Sequence, residues 1–573
     1  MQKGRGGYRT AALAALAGYE FILALQGFDL CDEGFVLTFF QQIFHAPETV
    51  EYQFLYYLPS LVGGVWNILF GFGGILSFRI LAIIALFFTG YFTYLAVEKQ
   101  FRSGLIILAA FFAVLFNFGV TVFDHNYLTA LLISIAVYLI LKGLNSENNY
   151  RPIFWGAFFC GVNIFSRLTN ISMLGLGLLL FADYYYEKNA VRLKKNLLYG
   201  FLGMCSGILS VLCAMYFLGH LDIFRQSIVN NVLDAGMSED SNHGIFFLIK
   251  SYFINWKNIY TYLSIFVFTT FFFLYTYNLS KNNLLRLFSI ISWGAVFTVF
   301  IAVFDLNNEK YYALILFPLL VSCFADRKNK PLTLLNIASL LVMFLLPSGS
   351  DLGVRSMGSF CIWLGTFVSA GHVFRYINYQ IKTGRNYSGH TFFIILCVLY
   401  VASCLFYASH RAYDDNGNRL AKRYRADNGK FTVFTDKRKA DAINELLSSL
   451  SKYVDKGDYL LCFESLPMIH YLTETKPYAG SSWIWCYSSG NFKKHLDQAV
   501  ATLPLPVVLA QKCQPVGRDW TVSDTGEKAS CPYVYNLKRI RYFEEFIRDN
   551  KYKPVWENDL FVIYCSEEWR MGN

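Results

Sequence analysis

The feature that most limits the fold of this chain is the recurrence, through residue 409, of apolar runs long enough to cross a bilayer. A helical span takes ~20 predominantly apolar residues. Runs near that length lie at about Thr10 to Gly27 and near 77–97, 103–122, 127–143, 197–219, 258–278, 287–304, 310–325, 332–347, 357–377 and 391–409. Of the 573 residues, 55% are hydrophobic and 18% aromatic, so the pattern reads as an α-helical polytopic membrane protein whose first partner is the lipid bilayer. The formal charge of +10 does not imply nucleic acid. The Lys and Arg residues are spread among short loops between spans, where they orient a membrane protein.

One stretch, RPIFWGAFFCGVNIFSRLTNISMLGLGLLLFADYYY from Arg151, is too long for one plain helix and too short for two full spans, and Arg167 stands at its middle. As a single span it would put Lys188, Arg192, Lys194 and Lys195 outside, against the positive-inside rule. A broken hairpin of two short helices with SRLTN at its tip restores the rule, provided protein surrounds the irregular backbone. The loops with Lys281 and Arg286, with Arg327, Lys328 and Lys330, and with Arg375, Lys382 and Arg385 then all fall inside. The expectation is roughly 13 membrane segments, counting the two short ones, with a cytoplasmic N-terminus behind Lys3, Arg5 and Arg9. The first run is read as a retained span, since no small-residue cleavage site follows it. Glu20 lies inside that span, and a carboxylate there is a functional candidate or a hydrogen-bonded group facing the bundle.

The first outer loop, residues 28–76, opens with FDLCDEGFVLTFFQQIFH. Asp29, Asp32 and Glu33 fall within five residues, and from there to Tyr57 there is no Lys or Arg. Beyond Glu33, Val36, Phe39, Phe40, Ile43 and Phe44 share one helical face and Thr38, Gln41, Gln42 and His45 the other, which predicts a helix lying on the outer membrane surface. Asp32 is also suited to cap that helix, and Asp29 to act as a solvated or supporting acid.

After Ser409 the composition turns polar, so 410–573 reads as a small soluble α/β domain outside the membrane. KRKADAINELLSSLSKYV has helical periodicity and DYLLCFES that of a short buried strand. Cys462, Cys486, Cys513, Cys531 and Cys565 are odd in number and lack metal spacing, so neither a bridge nor a zinc site is assigned. The chain has no internal repeat, Walker loop, GxGxxG or GxSxG motif.

These parts resemble the GT-C polytopic glycosyltransferases, and within them the protein O-mannosyltransferase and aminoarabinose transferase branch. The resemblance is carried by the Asp32-Glu33 loop, by LYYLPSLVGGVWNILFGFGGILSFRILAII, by FDHNYLTALLISIAVYLILKG, and by GAFFCGVNIFSRLTNISMLGLGLLL, where Arg167 takes the place of a central Lys. It covers residues 10–220 and departs from the branch in having one proline and no preceding Lys in EYQFLYYLPS. It implies inverting transfer of a sugar from a polyprenyl-phosphate donor to a glycan, lipid or protein acceptor, at the extracytoplasmic face of the cell (inner) membrane. Asp32 would be the catalytic acid residue, acting as base, with Glu33 orienting the acceptor or a metal and Asp29 nearby. A divalent metal, if one is used, would fall on Asp32 and Glu33. The substrate-binding candidates are Asp124 and His125, Arg79, Arg167 and Lys310 for the lipid phosphate, and Tyr56 and Tyr57 at the start of the proline helix. Asp124 is equally suited to cap the fourth span, and Arg79 and Lys310 to anchor span ends by snorkelling. A transporter or flippase would show repeated halves, which are absent, and an oligosaccharide ligase a large outer loop between late spans. The charge pattern makes a test: in intact cells, a single cysteine near residue 450 should be labelled by an impermeant reagent and one near residue 194 should not, and the opposite pattern would reject the topology.

Overall fold

The computed structural model describes residues 3–101, 104–115, 119–147, 149–233, 245–279, 282–302, 307–350, 352–383, 388–512 and 534–567. Arg102, Lys281, Arg385, Cys513 and Cys531 lie outside the described residues. The protein is mainly helical. In chain order the first helices are α1 (Lys3–Ala24), α2 (Asp32–Gln42), α3 (Tyr57–Phe70), α4 (Gly74–Val97), α5 (Ala109–Val114), α6 (His125–Leu144), α7 (Arg151–Asn163), α8 (Leu178–Glu187) and α9 (Ala190–Phe217). Long helices follow at Ile245–Leu279, Asn283–Ala302, Asn308–Ala325, Lys330–Leu345, Trp363–Thr383 and Ser388–His410.

Five helical segments are long and apolar enough to cross a membrane, and Val354–Cys361 with Trp363–Tyr379, bent by 60°, makes a sixth if counted as one span. Thr10–Ala24, Leu284–Phe297, Lys330–Leu345 and Ile394–His410 are apolar but shorter. The membrane-helix character is as expected, whereas the expected figure is roughly 13 segments and five or six stand among the described residues. The stretch 103–122 is not a continuous helix among the described residues. It forms a 3₁₀ turn at Gly104–Leu108 and the short α5, and Ile106, Ile107, Ala109, Ala110, Ala113 and Val114 are all buried. Surrounded by protein, it needs apolar side chains as much as a span does, but it need not close every backbone hydrogen bond within one helix.

Residues 151–187 turn back at Arg167 as expected, but the return arm Leu168–Glu187 is 20 residues of helix, long and apolar enough to cross a membrane by itself, and not the short helix expected. α7 ends at Asn163, Arg167 adopts an extended conformation, and a 3₁₀ segment (Leu168–Gly177) leads into α8. One end of the hairpin is fixed by Asp183, which pairs with Arg192 of α9 and with Lys330. At the other end the Arg167 guanidinium reaches the carbonyls of Leu346 and Ser348. The return arm therefore runs antiparallel to Lys330–Leu345. Arg192 and Lys330 thus lie at the end of the hairpin opposite its Arg167 tip.

The C-terminal unit carries a hairpin of β1 (Arg411–Ala412) and β2 (Asp415–Asn416), then a mixed sheet of β3 (Tyr459–Phe463), β4 (Lys476–Pro477), β5 (Val507–Gln511), β6 (Lys553–Glu557) and β7 (Phe561–Cys565) in the order β4-β3-β5-β7-β6. β3 pairs in parallel with β4 and β5, while β7 runs antiparallel to β5 and β6. The α/β expectation holds, including the predicted helix (Lys437–Leu450) and strand β3. No two of the described cysteines are bridged.

This unit packs directly onto the first loop, which corrects the expected surface helix. α2 is enclosed by α3 and the helix Pro467–Thr473, so its polar face meets protein. Thr38 Oγ1 donates to the Pro467 carbonyl, and the Gln41 and Gln42 amides to those of Tyr471 and Thr475. Gly34 allows the close approach, since a Cβ there would overlap the Met468 backbone. A second seam lies at the turn between α3 and α4, where Gly74 takes φ +57 and a side chain would run into the Lys430 carbonyl. One buried core cluster accordingly includes Phe28, Phe40 and Phe78 together with Phe431, Leu466 and Met468.

At the centre of the seam is Asp415. Its buried carboxylate accepts from the Phe28 amide at 3.0 Å, Thr435 Oγ1 at 2.8 Å, Lys422 Nζ at 2.8 Å and Lys439 Nζ at 2.6 Å. Burial alone would raise this carboxyl, but Lys439 and Lys422 outweigh it and hold it below the usual carboxylate range. Its stabilisation is thus present above the unfolded value of about 3.9 and is lost as pH falls through the lower folded value. Asp415→Asn, which removes the carboxylate that two buried ammonium groups share and leaves Lys439 the more distant Asp436 at 3.9 Å, should cost about 3–5 kcal/mol. Thermal unfolding in detergent at neutral pH, and a smaller gap between variant and wild type in acid, would check it.

Candidate functional site

The loop before α2 turns three neighbouring acids to different uses. Asp29 is fully buried, and its two oxygens accept from the Cys31 and Glu33 amides, each at 2.8 Å. The capping role anticipated for Asp32 therefore falls to Asp29, and Asp32 is the first helical residue, partly exposed. The Asp32 carboxylate accepts the Tyr413 hydroxyl. Tyr413 and Asp414 form the two-residue turn between β1 and β2, with Asp414 in the left-handed region at φ 45. That turn brings Asp414 to the first loop: one oxygen each of Asp29, Asp32 and Asp414 lie within 4.8 Å of one another. Burial, then the charges of Asp414, Asp32 and Glu33, push the Asp29 carboxyl well above its usual value.

Glu33 points the other way. It is buried against Arg79 in a two-pronged pair, Nε to Oε1 at 2.9 Å and NH2 to Oε2 at 2.8 Å, and Oε1 also accepts the Val122 amide. Arg79 further donates to the carbonyls of Ala24, Gln26 and Gly27. Both side chains are thus committed to joining α1, α2 and α4. This corrects the placement of Glu33 at a metal and of Arg79 at a phosphate, because the donors and acceptors each would need are already spent.

Asp124 caps α6 through the amides of Asn126 and Tyr127. It lies near enough to Asp32 for the two charges to act on each other. His125 begins α6 and packs against Tyr56, ring centroids 4.4 Å apart and planes tilted by 31°, and it lies within electrostatic reach of Arg167. Besides the two carbonyls, Arg167 donates to Thr169 Oγ1. The Leu58 amide bonds the Phe165 carbonyl, fixing the start of α3 to the hairpin tip. Tyr56 is half-buried beside His125, whereas Tyr57 is turned into the core with its hydroxyl 3.2 Å from His220 Nδ1. Lys310 is buried at the start of Asn308–Ala325 with Nζ 5.9 Å from the Tyr262 ring centroid. Glu20 is also buried, with the Arg419 charge and the Val120 backbone within reach.

Asp32, Asp29, Asp124, His125, Tyr56 and Arg167 are therefore assembled at one end of the bundle, and Asp414 and Tyr413 join them unforeseen. Their signal in the sequence is the YDDNGN stretch just after the last span, adjacent acids followed by Asn-Gly turn chemistry. Among the described residues, Asp29, Asp32 and Asp414 form the acid group that fits a divalent cation: a hard ion prefers carboxylate oxygens, and it would relieve their mutual repulsion. His470 and Glu474 of the C-terminal unit serve structure, His470 bonding Thr475 and Glu474 pairing with Lys430 and Lys456. No family model matches the chain, and no curated protein is similar enough to count as a relative.

An acid whose folded pKa is raised destabilises the fold above its unfolded value, and the penalty is relieved as pH falls through the folded value. Asp414→Asn removes the largest of the charges acting on Asp29. It should raise stability near pH 7, on the order of 1 kcal/mol, with the gain fading toward pH 4. Added Mg²⁺ or Mn²⁺ should raise the melting temperature of the wild type more than that of Asp414→Asn. Equal shifts for both proteins would rule the cluster out as a cation site.

Proposed function

We propose that this protein is a membrane glycosyltransferase that moves a sugar from a polyprenyl-phosphate donor to a hydroxyl acceptor at the extracytoplasmic face of the inner membrane, inverting the anomeric carbon. The observation that supports this most directly is the carboxylate cluster at the start of α2, at the same end of the bundle as the His125 and Arg167 hairpin tip. A sugar transfer of this kind needs a base for the acceptor proton and positive charge for the departing phosphate, and the two poles provide them in adjacent places.

In this reading the acceptor oxygen attacks the anomeric carbon from the side of Asp32, the bond to the phosphate oxygen breaks, and the hydroxyl proton passes to the Asp32 carboxylate. Tyr413, donating to Asp32, fixes which oxygen faces the acceptor. Asp29 holds the α2 start in place through two amides. Asp414 raises the basicity of the group by like charge. A bound divalent cation would neutralise the cluster and orient the acceptor hydroxyl. Arg167 receives the developing charge on polyprenyl phosphate, and His125 and Tyr56 form the surface between the poles. The basic end of the bundle, with Arg192 and Lys330, faces the cytoplasm, and the C-terminal unit lies outside.

The decisive variant is Asp32→Asn. Asn matches Asp in size and still accepts from Tyr413, but it takes no proton, so transfer should fall ~100-fold to 10,000-fold with folding and donor binding retained. Asp29→Asn can accept only one of its two amides and should show mainly a stability loss of about 1 kcal/mol, while Arg167→Ala should weaken donor binding. The measurement is transfer from a purified polyprenyl-phosphate sugar in nanodiscs, with donor binding in parallel. Near wild-type transfer by Asp32→Asn would end this mechanism.

A further inference from the structure

Aromatic rings from three distant parts of the chain stand in a row beside the acids. Trp485 stacks on Trp483 with centroids 5.4 Å apart, Trp483 meets Phe35 edge-on at 5.8 Å, Phe35 meets Tyr56 at 6.3 Å, and Tyr56 lies on His125 at 4.4 Å. Phe35 is buried, and the other four rings keep part of their surface accessible. Phe35 follows Asp32 by three residues, so the two share a face of α2 and the row passes the proposed base.

The far end of the row is built rather than loose. Trp483 Nε1 donates to Ser465 Oγ at 3.2 Å, and the Ser465 carbonyl accepts from Sγ of Cys31, the residue before Asp32. Arg539, fully buried, donates to the carbonyls of Trp485 and Tyr487 and pairs with Glu464. Glu464 directly follows β3 in the left-handed region at φ 72, and its second oxygen, Oε1, is buried and accepts no hydrogen bond among the described residues. Backbone strain and an unmet acceptor each cost free energy, and here they coincide at the carboxyl end of a parallel strand, the edge where α/β sheets present ligands.

We propose that this row is the binding track for a saccharide acceptor, running from Trp485 to the reaction centre at Asp32, with the donor sugar at the His125 end. The inference rests on the glycosyltransferase reading and adds to it the class of acceptor. Indole and phenol faces carry negative charge that attracts the C–H face of a pyranose, while carboxylates alongside accept its hydroxyls. An acyl chain would leave those carboxylates unmet, and an extended peptide would call for an open strand edge. Several rings offer several contacts, so a chain of sugar units should bind better than one.

The test uses the full-length protein in nanodiscs, titrated calorimetrically with unbranched hexose and N-acetylhexosamine oligosaccharides of increasing length, without donor. At least one series should bind with affinity that grows with length. Trp485→Ala and Trp483→Ala should each weaken the longer members about tenfold or more and leave the shortest unchanged. Melting temperatures verify folding, and Trp485→Phe, which keeps a ring, should retain most of the affinity. If no oligosaccharide binds, or if folded tryptophan variants bind as wild type does, the track is refuted. Binding without any transfer from lipid-phosphate sugars would overturn the transferase reading alone, and transfer to a non-sugar acceptor without saccharide binding would overturn this inference alone.

Discussion

Asp415 accepts hydrogen bonds from the Phe28 amide, the Thr435 hydroxyl and the ammonium groups of Lys422 and Lys439, all within the protein interior. The acid cluster at the candidate site depends on this carboxylate. Phe28 immediately precedes Asp29, and Asp415 immediately follows Asp414, so one buried charge sets the spacing of two of the three clustered acids. The carboxylates repel one another, and without an opposing constraint the β1–β2 turn would drift outward. Two lysines around one buried aspartate provide that constraint, since separating them would leave charges unpaired in a medium of low dielectric.

The adjacent pair Asp32 and Glu33 shows how helix geometry divides labour. Successive residues of an α-helix point about 100° apart, so one acid faces the partly open site while the next is driven into the bundle. There Glu33 holds Arg79 and the Val122 amide, tying α4 and the approach to α6 to the first loop. Breaking such a pair costs about 3–5 kcal/mol. Asp32 is thus anchored through its neighbour, while its own carboxylate faces Tyr413 and the acid cluster.

Much of the bundle was legible in the sequence because length and apolarity suffice to specify it. α4, α6, α9 and the hairpin at Arg167 fall where the apolar runs and the loop charges place them. The segment 103–122 misled because burial in protein and burial in lipid demand the same composition. Thr38, Gln41 and Gln42 misled because a polar face that meets the carbonyls of another part of the chain has the same periodicity as one that meets water. Asp32 and Arg167 stood out as acid-rich loop and isolated cation, whereas Asp414 did not, since its meaning lies in a partner far away along the chain. Tyr413 and Asp32 are separated by 381 positions, a distance over which no local pattern carries information.

That separation also has a consequence for biogenesis. Asp29 and Asp32 emerge early in synthesis, while the turn that completes their surroundings follows the last apolar helix, Ser388–His410. The whole bundle must be inserted, and the chain beyond it folded back onto the first loop, before the acids meet. A chain that has not yet reached this turn therefore has an incomplete acid cluster. The three carboxylates first meet at the close of assembly, so the order of translation sets when their mutual repulsion must be borne.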